Sequence, residues 1–194
     1  MRTGYLALGL LVLFAAPTAA EWHVKPFVGL TFGGHTTYVD LERAAPRPNP
    51  VVGVSGVLLG DVLGLDADLA RASGFFEAGD QKLMRSSAVT TFTGNVVVAV
   101  SKRIARYTLR PYFVGGAGLM HVEMEGRLGG LHVGSTLPAM DVGGGATGFL
   151  NERLGLSWEV RHFRSVGNRP SSGVSFGNEQ LSFWRATMAL TIRY

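Results

Sequence analysis

The last segment of the chain, 181–194, alternates without a break. From Trp184 onward its even positions are Trp184, Ala186, Met188, Leu190, Ile192 and Tyr194, and its odd ones are Arg185, Thr187, Ala189, Thr191 and Arg193. Sustained period-2 alternation predicts a β-strand with one apolar and one polar face. The same pattern recurs upstream. Trp22, Val24, Pro26, Val28, Leu30 and Phe32 alternate with His23, Lys25, Phe27, Gly29, Thr31 and Gly33. Leu63, Leu65, Ala67 and Leu69 oppose Gly64, Asp66, Asp68 and Ala70; Phe92, Gly94, Val96, Val98 and Val100 oppose Thr91, Thr93, Asn95, Val97 and Ala99. Met140, Val142, Gly144, Ala146 and Leu150 oppose Asp141, Gly143, Gly145 and Thr147, and Leu154, Leu156, Trp158 and Val160 oppose Arg153, Ser157, Glu159 and Arg161. Val51–Leu59 and Thr108–Met124 complete the set, with their register left open.

Eight strands result, and their connections alternate in length. The short ones are Gly60–Val62, Lys102–Tyr107 and Asn151–Glu152; the long ones are Gly34–Pro50, Phe76–Ala88, Glu125–Thr136 and Val166–Gln180. Tight turns at one end and longer loops at the other are the mark of an all-β, eight-stranded, antiparallel up-and-down transmembrane barrel. A soluble lipocalin-like barrel would alternate too, so polarity decides which face points out. An arginine or lysine against hydrocarbon costs roughly 2–4 kcal/mol near the bilayer midplane. The lumen of an eight-stranded barrel is just wide enough for side chains to fill it. The apolar faces are therefore expected outside, and Lys25, Asp66, Asp68, Asp141, Glu159, Arg161 and Arg185 inside as a paired charge network. The many glycines leave room for those long side chains. Trp22, Phe32, Trp158, Trp184 and Tyr194 are expected at the two water–lipid interfaces.

Composition narrows the class. The chain has 194 residues, 27 glycines and no cysteine, is 46% hydrophobic and only 16% charged, and has a mean hydropathy of +0.21. Absence of cysteine excludes a lipoprotein anchor, disulfides, cysteine zinc sites and thiol catalysis. Arg2, the apolar stretch Tyr5–Ala16 and Thr18-Ala19-Ala20 read as a cleaved signal peptide over residues 1–20, leaving 21–194 as one barrel domain. Its removal lowers the formal charge of +4 by one, since only Arg2 is lost. Nothing after Ala20 is long and apolar enough for a spanning helix.

These strands together resemble the small outer-membrane β-barrel family, the porin-family group around OmpA's barrel domain and OmpX. The carriers are Trp22–Phe32 (WHVKPFVGLTF), the hairpin 58–76 with LGLDADLARASGFF, Thr91–Val100 (TFTGNVVVAV), Arg110–Leu119 (RPYFVGGAGL), Leu154–Phe163 (LGLSWEVRHF) and Ala186–Tyr194 (ATMALTIRY). The resemblance implies a location in the outer membrane of a Gram-negative bacterium and roles in envelope integrity, adhesion or host contact. It also implies insertion by the outer-membrane assembly machinery through Ala186–Tyr194. Tyr194 stands where phenylalanine is the commoner last residue. No peptidoglycan-binding domain is expected after it. Outer-membrane lipid and lipopolysaccharide are the expected partners, with a monomer as the expected state.

Candidate chemistry is sparse. A lipid A deacylase-like barrel would place a histidine and a serine two residues apart; His162 and Ser165 are three apart, which puts them on opposite faces of a strand unless a bulge intervenes. Asn168 is not adjacent and Glu179 lies downstream. A narrow pore is the other alternative. The runs 115–118 and 143–148 lack the strand–helix setting and the lysine of a phosphate loop and read as small residues in curved strands. His23, His35, His121, His132 and His162 show no metal-ligand spacing, and no cofactor is expected. The basic pI of about 9.8 comes without a series of base-stacking aromatics, so nucleic acid is not expected. Arg43, Arg47, Arg127 and Arg169 in the outer loops are candidates to meet anionic lipopolysaccharide.

Overall fold

The computed structural model describes residues 20–36, 48–74, 84–101, 109–126, 132–166 and 181–194. Residues 1–19 of the expected leader, the loop arginines Arg43, Arg47, Arg127 and Arg169, and also Asn168 and Glu179, lie outside them. Eight strands follow in order: β1 (Glu21–Thr36), β2 (Asn49–Leu59), β3 (Leu63–Ser73), β4 (Met84–Ala99), β5 (Arg110–Gly126), β6 (His132–Phe149), β7 (Leu154–Ser165) and β8 (Leu181–Arg193). Each pairs antiparallel with the next, and β8 returns to β1, so the sheet closes without an edge. The Tyr194 amide donates to the Trp22 carbonyl at 2.9 Å, and Arg193 lies 3.6 Å from Glu21. The start of β1 and the end of β8 thus sit at one end of the barrel, with the β2–β3 and β6–β7 turns: the turn end.

Stagger sets the shape. The lateral row that starts at His23 runs through Val57, Asp66, Asn95, Gly116, Asp141 and Phe163 to Phe183. Phe183 adjoins Trp184, the partner of Phe32, so the row climbs about ten residues in one circuit, which tilts the strands roughly 40° from the axis. In β1 the register against β8 shifts between Phe32 and His35. Gly33 sits there at φ 61, the left-handed conformation a bulge of this kind takes from glycine.

The faces fall as the alternation requires. Val28, Val52, Phe92, Phe113, Val142 and Met188 are more than half exposed on the outside, while Asp66, Asp68, Thr93, Arg161, Arg185 and Thr191 are buried inside. The two strands of open register also settle. Ser55, Val57 and Leu59 of β2 and Tyr112, Val114, Met120 and Val122 of β5 point inward.

The expected connection lengths need correction. The segment expected as a long loop over Glu125–Thr136 belongs largely to strands, since β5 runs to Gly126 and β6 begins at His132. β1 likewise extends to Thr36 and β4 starts at Met84, so the strands project further at the loop end. Ladder pairing continues there although the alternation has lost its apolar partner residues. Long and short connections therefore do not alternate strictly; 100–109, at the turn end, is as long as 74–83 at the other.

Candidate functional site

The lumen holds two arginine centres. Arg185 of β8 reaches across to β3 and donates to both oxygens of Asp68, at 2.9 and 2.8 Å. Its guanidinium lies between the rings of Phe27, at 4.9 Å, and Phe163, at 4.7 Å. Phe163 in turn stacks on Phe183 at 5.2 Å. A planar cation takes this environment well, because its edge serves the carboxylate and its faces serve the rings.

Arg161 of β7 gathers three carboxylates. It donates to Asp66 at 2.8 Å, to Asp141 at 3.3 Å, and to both oxygens of Glu159, at 2.5 and 2.9 Å. Asp66 also accepts from the Ser55 hydroxyl and from Asn95 Nδ2, and Glu159 accepts from the Tyr112 hydroxyl at 2.8 Å. Six strands, β2 to β7, meet in this knot, and the acceptors of its carboxylates are almost all occupied, which is what burial demands.

Of the seven expected lumen charges, six are brought together this way. Lys25 joins them without a hydrogen bond: its Nζ lies 4.8 Å over the Tyr112 ring, where the charges of Glu159 and Asp66 act on it. Two glycines make the knot sterically feasible. A Cβ on Gly143 would collide with Arg161 and the Val160 carbonyl, and one on Gly145 with the Tyr112 hydroxyl and the Trp158 carbonyl. At the turn end Arg110 donates to the carbonyls of Val100, Gly60 and Asp61 at 2.8–3.0 Å, tying β5 to the β2–β3 turn.

Aromatic residues mark two levels outside. Trp22 meets Tyr194 at the turn end, and Phe32 pairs with Trp184 near the loop end. Along both β1 and β8 the two levels are ten residues apart, so the apolar band between them is roughly 25 Å tall at this tilt. Trp158 is the exception among the expected interface aromatics. It pairs with Met188, well inside the band, because β7 begins near the turn end and Trp158 is only four residues along it. Above the band, Arg71 donates to Glu123 at 2.8 Å, and His121 meets Thr136 at 2.7 Å.

His162 and Ser165 stand on opposite faces. The His162 ring packs outside on Trp184 at 4.8 Å, whereas the Ser165 hydroxyl, buried inside, accepts the Leu181 amide at 2.9 Å. Among the described residues no group of three or more His, Asp or Glu side chains is placed to hold a metal ion.

Sequence reasoning missed Tyr112, Ser55 and Arg110, all on β2 or β5, where bland alternation hid the register. Phe27 and Phe163 were visible as aromatics on the mixed face, a signal for a cation partner inside.

A closed eight-stranded barrel with an apolar exterior and a filled interior has the architecture of the small outer-membrane barrels. The chain is similar in structure to Neisserial surface protein A, with a TM-score of 0.61 and 11% identity over 87% of this chain and 96% of that one. It is similar to the N-terminal β-barrel domain of Pseudomonas aeruginosa OprF, with a TM-score of 0.54 and 12% identity over 90% and 97%. Ail, the attachment invasion locus protein of Yersinia pestis, superposes with a TM-score of 0.52 and 8% identity over 89% and 99%. At these identities the likeness is one of fold. No family model matches the chain, and no curated protein matches it in sequence.

Proposed function

We propose that the chain is a non-enzymatic outer-membrane barrel of a Gram-negative bacterium, exported by a cleaved leader, with a structural or surface-interaction role. The observation that carries this reading is the pairing of a roughly 25 Å apolar band outside with a lumen blocked by the Arg161 and Arg185 centres inside. The band fits a bilayer, and the blocked lumen leaves the barrel as a platform for the loop-end segments. Lipid and lipopolysaccharide are then its surroundings, and Ala186–Tyr194 the strand presented to the assembly machinery. The protein acts as a monomer in this reading.

Reconstitution into a planar bilayer tests it. Insertion without stable single-channel steps is expected; steady conductance would instead support the narrow pore. Acyl release from lipopolysaccharide tests the deacylase alternative, and replacement of His162 and Ser165 would assign any activity found. None is expected, because an outward imidazole and an inward hydroxyl cannot exchange a proton.

A further inference from the structure

The lumen is filled unevenly along its axis. In the loop-side half, Val89, Met120, Ala139, Phe163, Leu181 and Phe183 form one fully buried apolar cluster, and Phe27, Val51, Ala70 and Ala72 belong to a second. Towards the turn end a third apolar cluster, Val57, Leu59, Val97, Ala99, Tyr112 and Val114, borders a cavity of about 20 Å³ whose polar lining includes His23, Lys25, Asp66, Tyr112 and Glu159. Its walls reach Leu59, Ala99 and Phe149, the last residues of β2, β4 and β6, so it extends to that end of the barrel. A second space of about 10 Å³ adjoins it, sharing Lys25, Ser55, Tyr112, Glu159 and Arg161.

One polar side chain on this cavity lacks what burial requires. His23 is 1% exposed, and its Nδ1 has no hydrogen-bond partner; its Nε2 lies 3.5 Å from Glu21. The Lys25 ammonium, with three donors, lies over the Tyr112 ring on the same wall as Glu159 and Asp66, whose charges act on it. Unmet buried donors and acceptors are costly, and a polar space of at least roughly 10–15 Å³ is enough for one water. The loop-side half also buries hydroxyls, Thr91 and Ser165 among them, but its apolar cluster is only 0–2% exposed.

We propose that the lumen is a one-sided vestibule: water and water-sized ions enter at the turn end, occupy the space beside His23 and Lys25, and stop below Phe27 and Phe163. This rests on the reading of the chain as a lipid-inserted barrel, in which the vestibule opens to the side of the membrane that holds the start of β1 and the end of β8.

The chain has no cysteine, so a single introduced thiol reports alone. Val57→Cys and Lys25→Cys place it on the vestibule, and Ala139→Cys in the apolar cluster. Each full-chain variant is inserted into vesicles, treated with silver ion from one side, then unfolded and labelled with maleimide. Silver at the turn end is expected to block the thiols at 57 and 25, silver at the loop end to leave them free, and the thiol at 139 to stay free from either side. Free thiols at 57 and 25 under both treatments, blocking from the loop end, or blocking at 139 overturns the vestibule. An unboiled sample of each variant, run beside a boiled one, separates this from failure of the barrel reading: no mobility shift refutes the barrel, whereas a shift with the wrong labelling refutes the vestibule alone. Val57→Cys keeps the test decisive where Lys25→Cys does not fold.

Discussion

Arg185 and Asp68 bind each other through both guanidinium nitrogens and both carboxylate oxygens, at 2.9 and 2.8 Å, across the lumen from β8 to β3. They are 117 positions apart in the chain, so this one pair fastens the closing strand to the first half of the barrel. Neither side chain is more than 1% exposed. Breaking such a pair on one side strands a buried charge, which costs about 3–5 kcal/mol, whereas replacing both partners with apolar residues is often neutral. Arg185→Ala is therefore expected to lower the urea midpoint sharply, and Asp68→Ala with Arg185→Met to recover most of the loss. Equal midpoints for Arg185→Ala and the unaltered protein would remove the pair from the account.

Glu159 predicts a different pattern, because it serves more than one partner. Glu159→Ala leaves Arg161 with Asp66 and Asp141 but deprives Tyr112 of its acceptor. A smaller loss than for Arg185→Ala is expected, and Tyr112→Phe added to Glu159→Ala is expected to cost little more. Additive losses in that double-mutant cycle would show that the two side chains act independently.

Glycine positions separate room from mere smallness. Gly143→Ala drives a Cβ into Arg161 and the Val160 carbonyl, whereas the Cβ of Gly94→Ala meets nothing within 4 Å on the outer face. Overpacking costs about 1–3 kcal/mol, while alanine in a compatible extended conformation gains about 0.4–1 kcal/mol. Opposite shifts in unfolding midpoint are expected, read in the same urea titration.

The outer face predicts a dependence on depth. Met188→Arg, level with Trp158 inside the band, is expected to destabilise the inserted barrel by about 2–4 kcal/mol, and an arginine beside the edge residues Trp22 or Tyr194 by about 0–1 kcal/mol. Refolding yields into lipid vesicles measure both; equal effects at the two depths would mean that the band does not face hydrocarbon.

Much of this architecture was legible because a barrel writes itself in period 2. Where the two faces differ strongly, as in β3 and β8, the inward set Asp66, Asp68 and Arg185 could be read directly. Where both faces are apolar or small, as in β2 and β5, alternation carries no sign, so Ser55, Tyr112 and Arg110 stayed hidden. Pairing was harder still. Which arginine takes which carboxylate depends on the ten-residue stagger, a property of closure that no single strand encodes, and it places Lys25 over the Tyr112 ring. Strand ends were misplaced at the loop end, where backbone pairing outlasts the apolar pattern from Glu125 to Thr136.

The central claim is a closed barrel with its apolar face in lipid, and gel mobility tests it most directly. The protein from an outer-membrane fraction, or refolded into lipid vesicles, is run in dodecyl sulfate without boiling and again after boiling. The account predicts a folded band that survives the detergent and shifts only on heating. A single unshifted band, with the protein recovered from the soluble periplasmic fraction, would contradict it and turn the apolar face inward.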